Sequence, residues 1–260
     1  MKTFSMQHPE KGEIAYTDRK RYLWISALFF PLVALSGIWL YSLNGSEWSF
    51  VVPLVLFYGG TALFDWLLGE DTSNPPEELV PQLEADAYYR WLPILTVPMH
   101  FAVLIAVAWF AGTHDVSWPA LLALALTAGL YSGIGVNTAH ELGHKKTDLE
   151  RWMARIVSAV PAYGHFCVEH NRGHHRHVAT PADPASSRMG ENIYKFACRE
   201  IPGAFRRGWN AEKERLARQG KSAWHHENEI LQSYALTAVL QVSLVVAFGW
   251  VMLPFLAVHN

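Results

Sequence analysis

The sequence predicts an all-α fold, a polytopic transmembrane helical bundle with a cytoplasmic histidine-rich region, and three observations predict it. Hydrophobic residues make up 51% of the 260-residue chain and charged residues only 17%. The apolar residues gather in runs long enough to cross a bilayer. Seven of the thirteen histidines crowd into one polar stretch between two such runs. This composition excludes intrinsic disorder. A net charge of -2 and a pI near 6.7 give no field for holding nucleic acid, and no nucleic-acid-binding motif is present.

A helix crossing about 30 Å of hydrocarbon at about 1.5 Å per residue needs about 20 mostly apolar residues. Four runs in the first half meet that need, at 22–43, 48–68, 91–112 and 118–136. Each carries Trp or Tyr near an end, where an amphipathic ring sits at headgroup level. A fifth run covers 230–249, and a partial sixth covers 252–260. The loops 44–47 and 113–117 carry no Lys or Arg, whereas Lys11, Arg19, Lys20 and Arg21 precede the first span and Lys145, Lys146, Arg151 and Arg155 follow the fourth. The positive-inside rule therefore puts the amino terminus and the histidine-rich stretch in the cytoplasm. The acidic loop 69–90 supports that topology only through Arg90. Residues 1–21 are polar, so the first span is expected to serve as an uncleaved insertion signal. Asp65 is the one carboxylate inside a predicted span; snorkelling or pairing within the bundle suits it better than catalysis. His100, also in a span, is expected to make an interhelical hydrogen bond.

Between the fourth and fifth spans, His140 and His144 lie four apart on a helical extension, so both imidazoles share one face. His170 and His174 repeat that spacing, and His175 adds an adjacent ring. Two clusters at one membrane face suggest two metal ions, because neutral imidazoles hold a metal without burying several carboxylate charges. A segment over 156–166, interrupted by Pro161 and too short to span, is expected to be interfacial or re-entrant and to fold the second cluster back onto the first. Glu141, Glu169, Asn171, Thr180 and Asp183 are candidates for orienting the imidazoles, Glu169 and Asp183 foremost. Capping and turn formation compete for those two. His165 and His177 read as outer-layer or surface residues. Cys167 and Cys198 form no CxxC pair, which leaves a disulfide framework, a zinc knuckle and a fused rubredoxin-like iron site unsupported.

HELGHK at 140–145 and EHNRGHHRHVATPADPASSR at 169–188 resemble the first two histidine boxes of the membrane-bound non-haem di-iron alkane 1-monooxygenases, and GEDTSNPPEE at 69–78 looks like that family's cytoplasmic loop. The resemblance implies a six-span enzyme in the bacterial inner (cytoplasmic) membrane, with its metal site on the cytoplasmic side. It implies two iron ions that use O2 to hydroxylate the terminal carbon of a medium-chain n-alkane to a 1-alkanol. Electrons would come from rubredoxin through rubredoxin reductase. His140, His144, His170, His174 and His175 would be iron ligands, with Glu141, Glu169 and Asp183 in supporting roles. The family's third box and its Asn-Tyr-x-Glu-His-Tyr-Gly motif do not occur. The expectation is therefore one membrane-embedded domain over 1–260, incomplete at its carboxyl end and inactive as it stands.

Nitrogen ligands alone do not select iron. HELGH is also HExxH, so an intramembrane zinc metalloprotease with Glu141 as base is an alternative, as are a fatty acyl hydroxylase or desaturase and an inert metal-binding fragment. An alkane offers no polar handle, so its recognition is expected in an apolar channel reached from membrane lipid, which Phe57 and Tyr58 could close. Seven basic residues against three acidic ones over 199–221 suggest docking of an acidic electron-transfer partner, or contact with anionic lipid.

Overall fold

A computed structural model describes all residues from Met1 to Asn260. The polypeptide forms two compact units, one of residues 1–131 with 257–259 and one of residues 132–256 with Asn260.

The first unit begins with a feature absent from the sequence reading. Strands β1 (Lys2–His8) and β2 (Gly12–Asp18) pair antiparallel, with Lys2 opposite Asp18 and His8 opposite Gly12. Period-2 alternation of Phe4 and Met6 against Ile14 and Tyr16 marks a half-covered ribbon, in which Phe4 is the buried apolar side chain and Asp18 the buried polar one. Helices α1 (Arg21–Asn44), α2 (Glu47–Leu68) and α3 (Ala87–Thr113) follow, each long and apolar enough to cross a membrane. Asp86 caps α3 by accepting from Tyr88 N at 3.0 Å. Its two oxygens also receive Arg21 at 2.6 and 3.1 Å, which ties the starts of α1 and α3 together. In the apolar window of α2 only 6% of residues are buried, against 56% in α3. Phe57 packs on Phe30 and Tyr131, while Tyr58 is 68% exposed. His100 is buried against the backbone of Tyr131.

Helix α4 (Trp118–Gly143) is the fourth spanning helix, and its last turns open the second unit. There the chain forms α5 (Asp148–Ser158), a short α6 over 166–177, α7 (Ile193–Ala217), the fifth spanning helix α8 (Glu229–Phe248) and α9 (Met252–His259). The segment expected over 156–166 divides into the end of one helix and a run of turns. Helix α5 stops at Ser158, and 159–165 form turns that reverse the chain, with Ala162 in the left-handed region at φ 55°. Helix α8 is capped by Asn228, whose Oδ1 accepts from Ile230 N at 2.9 Å and Leu231 N at 3.1 Å. A cluster of charges packs α5 to α8 together. Glu212 is fully buried and accepts from Arg172 at 2.5 Å, Arg215 at 2.5 Å and Glu229 N at 2.9 Å. Glu229 in turn holds Arg172 at 2.8 Å and Arg155 at 3.2 Å.

Candidate metal centre

Helix α4 ends at Gly143, where carbonyls lack intrahelical partners. Helix α6 supplies them: Asn171 Nδ2 donates to Gly143 O at 2.9 Å, and Cys167 Sγ lies 3.6 Å from Ala139 O. This docking brings the two histidine segments together.

His140 lies in the last turn of α4 and His144 just past its end, where its N–H still donates to His140 O at 3.3 Å; their Nε2 atoms stand 3.1 Å apart. The second segment is built differently. Residues His170–His174 form a π turn, which adds one residue per turn and aligns position i with i+5. The Nε2 atoms of His170 and His175 are accordingly 3.0 Å apart, so the pairing expected between His170 and His174 is corrected to His170 with His175. One nitrogen from each of His140, His144, His170 and His175 lies within 4.8 Å of the other three. Two nitrogens at about 2.0–2.1 Å from one tetrahedral ion stand roughly 3.3 Å apart, so this nitrogen set fits a metal ion. Burial, and next the neighbouring His140 and His175 rings, lower His170 to about 4; burial also lowers His144. A lowered value keeps an imidazole neutral and able to ligate near pH 7.

His174 stands outside the four. Its ring stacks on His170 at 5.3 Å, and its Nδ1–H donates to Asp183 Oδ2 at 2.9 Å. Asp183 is buried and also receives Ser186 Oγ at 2.5 Å, Ala185 N at 3.1 Å and Arg207 Nη2 at 2.7 Å. Burial alone would raise this carboxyl, but the bonds from Ser186, Ala185 and His174 outweigh it and hold Asp183 below the usual carboxylate range. Arg207 Nη2 also donates to Glu169, so one guanidinium joins α6, α7 and the 178–188 loop. The approach is close enough to need glycine. A Cβ on Gly173 would come within 2.6 Å of Arg207 Nε, and one on Gly208 within 3.2 Å of Glu169 Cβ.

The remaining expected residues are placed otherwise. Glu141 faces solvent and pairs with Lys145 at 2.8 Å, and Glu169 meets Arg207, so neither carboxylate reaches an imidazole. Asn171 caps α4 instead, and Thr180 bonds His177 O. His165, expected in an outer layer or at the surface, is buried with Nδ1 2.8 Å from the Tyr234 hydroxyl, and burial lowers it to about 4. Much of the basic patch is engaged internally: Arg199 with Glu191, Arg207 with Glu169 and Asp183, Arg215 with Glu212, and Lys221 with Glu227. Sequence reasoning missed Arg172, Arg207 and Glu212. The one available signal was Arg172 itself, a cation inside a histidine motif.

Residues 116–259 match the family model described as fatty acid desaturase. The chain is 54% identical over 246 residues to an alkane 1-monooxygenase of Pseudomonas putida, and 53% identical over 244 residues to one of Ectopseudomonas oleovorans. Each match covers 94% of this chain and 61% of the relative, so the chain spans about three-fifths of the length of these curated relatives. A more distant match, 29% over 120 residues, covers 46% of this chain and 32% of the hydroxylase component of a xylene/toluene monooxygenase of Pseudomonas putida.

Proposed function

We propose, from the premise that this chain belongs to the fatty acid desaturase family, that it is the greater part of a membrane-embedded enzyme domain that hydroxylates medium-chain n-alkanes at the terminal carbon. The chain is an integral membrane protein with five spanning helices, and its histidine clusters and family indicate metal use. Convergence of His140, His144, His170 and His175 is the observation that carries the reading.

In this reading His140, His144, His170, His174 and His175 hold two irons. Intrinsic affinity would favour copper or zinc at such nitrogens, so iron is assigned from the relatives' named activity. When bound, iron supplies the O2 activation that a strong C–H bond requires. The chain's own contribution is to keep His144 and His170 neutral through burial, present the four nitrogens along one open face, and fix His174 through Asp183. Three of the four converging histidines are exposed, which leaves room for further ligands of the second ion and for substrate. Electrons come from rubredoxin and its reductase, O2 is the co-substrate, and the alkane arrives from lipid. The site lies on the cytoplasmic side of a bacterial inner membrane, as the Lys and Arg distribution supports.

Glu141 weighs against the zinc-protease alternative, because its carboxylate pairs with Lys145 rather than facing the four nitrogens. The test is to express the gene product containing this chain, with rubredoxin and its reductase, in a host that does not oxidise alkanes. Under 18O2, octane should yield labelled 1-octanol, and His140→Ala should abolish it. Formation of an unsaturated acyl product without oxygen, or peptide cleavage, would overturn the reading.

A further inference from the structure

The histidine site connects to the surface of its own unit through an unbroken line of rings. Phe166 stacks on His170 with centroids 5.1 Å apart and on Tyr163 at 5.7 Å. Tyr163 meets His165 at 4.5 Å, and His165 meets Phe205 at 5.4 Å. Phe205 stacks on Trp209 at 6.3 Å, and Trp209 meets Trp224 at 5.2 Å. Every step lies within the separation at which aromatic rings are in contact. Trp224 is 75% exposed.

A second observation concerns protons. The Tyr163 hydroxyl donates to both oxygens of Glu200, at 3.0 and 3.3 Å. Burial raises the Glu200 carboxyl above its ordinary value, which strengthens it as a base. Oxidising a phenol releases its proton, so an oxidisable tyrosine needs such an acceptor at hydrogen-bond distance. Satisfying a buried hydroxyl would explain the bond by itself. It would not explain the line of contacting rings that joins oxidisable Tyr163, through His165 and Phe205, to Trp209 and exposed Trp224.

We propose that this line carries single oxidising equivalents between the histidine-held metal and the surface, with Tyr163 as inner redox residue, Glu200 as proton acceptor and Trp224 as outlet. The proposal rests on the reading that the histidines hold an O2-activating metal. When the oxidised site meets no substrate, one electron leaves Tyr163 for the metal and the phenolic proton moves to Glu200. A neutral tyrosyl radical and a protonated carboxyl remain. One electron from Trp209, replaced from Trp224, and return of the Glu200 proton restore Tyr163. A soluble one-electron reductant of the thiol or ascorbate class then reduces oxidised Trp224. Phe166, His165 and Phe205 bridge the steps without being oxidised. The path spares the ligand imidazoles from oxidative damage.

The test uses the whole chain in lipid nanodiscs, metal-free, with a soluble ruthenium photo-oxidant that removes an electron from exposed tryptophan after a flash. A tyrosyl signal should follow the tryptophanyl signal in electron paramagnetic resonance. Tyr163→Phe should remove it, and Trp209→Phe should slow its rise roughly tenfold or more, the loss that goes with a barrier raised by about 1.4 kcal/mol. Glu200→Gln, which keeps the side-chain shape, should also slow it. Trp224→Phe, at an exposed position that carries no folding risk, should remove the fast phase. An unchanged tyrosyl signal in Tyr163→Phe, or an unchanged rise in Trp209→Phe, would overturn the proposal.

A second arm loads iron and admits O2 without alkane. Mass spectrometry should find oxidation on Trp224 in the parent, shifting to His170 and Phe166 in Trp209→Phe. The same damage pattern in both would also overturn the proposal. Failure to bind iron would instead sink the functional reading, and the flash experiment would still decide the electron path.

Discussion

The two histidine segments deliver ligands to one point by different means. His140 and His144 need only a regular helix, because 3.6 residues per turn aligns i with i+4. His170 and His175 need a π turn, a rare geometry concentrated at functional sites. The first segment rests on the hydrogen bonds of a long spanning helix. The second is a short helix braced from outside by Arg207, Asp183 and the Glu212 cluster. Ala162 at φ 55° and Ala179 at φ 63° bracket it, and both conformations cost a non-glycine residue energy. The site is therefore as stable as the bracing of α6, and perturbations remote from the histidines should act on His170, His174 and His175 far more than on His140 and His144.

The strongest way to break this asymmetry is Arg207→Met. It leaves buried Glu169 and Asp183 without their shared cation, a loss of about 3–5 kcal/mol. Thermal unfolding should show it, and hydrogen exchange should rise in α6 while α4 stays protected. An unchanged melting temperature would contradict the bracing role.

Acidification should act on the same side. His165 is lowered to about 4 from 6.5, so the folded state holds it neutral where the unfolded chain is protonated. Its folded pKa lies below its unfolded one, so stability is full above pH 6.5 and declines as pH falls toward 4. The loss is on the order of 3 kcal/mol. His165→Gln should reduce that dependence in metal-free protein, leaving the part due to His170, which is lowered to the same value. Next, Asp183→Asn weakens the acceptor for His174 Nδ1–H. Removing such an outer partner of a ligand costs about 10–100-fold in metal affinity or activity, measurable by metal titration. The smallest effect belongs to Glu141→Gln. Its exposed pair with Lys145 contributes about 0–1 kcal/mol, so metal binding and turnover should change less than about twofold, whereas a protease base could not be replaced.

The same asymmetry explains what the sequence disclosed. The five spanning helices follow from apolar length, which depends on no partner, and the His140–His144 pair follows from helical period. In HNRGHH, however, both i+4 and i+5 offer a histidine, and only the local backbone decides between His174 and His175. Arg207 sat in a run of like charges that read as surface, because charge counts do not reveal which guanidinium turns inward. The hairpin was hidden in a segment judged only by its polarity. Glu141 misled in the opposite direction: the HExxH pattern fixes residue types, but its carboxylate turns toward Lys145.

The most direct measurement is metal content and affinity of the purified full chain in lipid, compared between His175→Ala and His174→Ala. Removing His175, one of the four converging nitrogens, should abolish tight binding of the ion those four hold, while removing His174, which stands outside them, should leave that ion bound and lower only the content of the second. Full metal retention in His175→Ala would contradict the four-histidine centre.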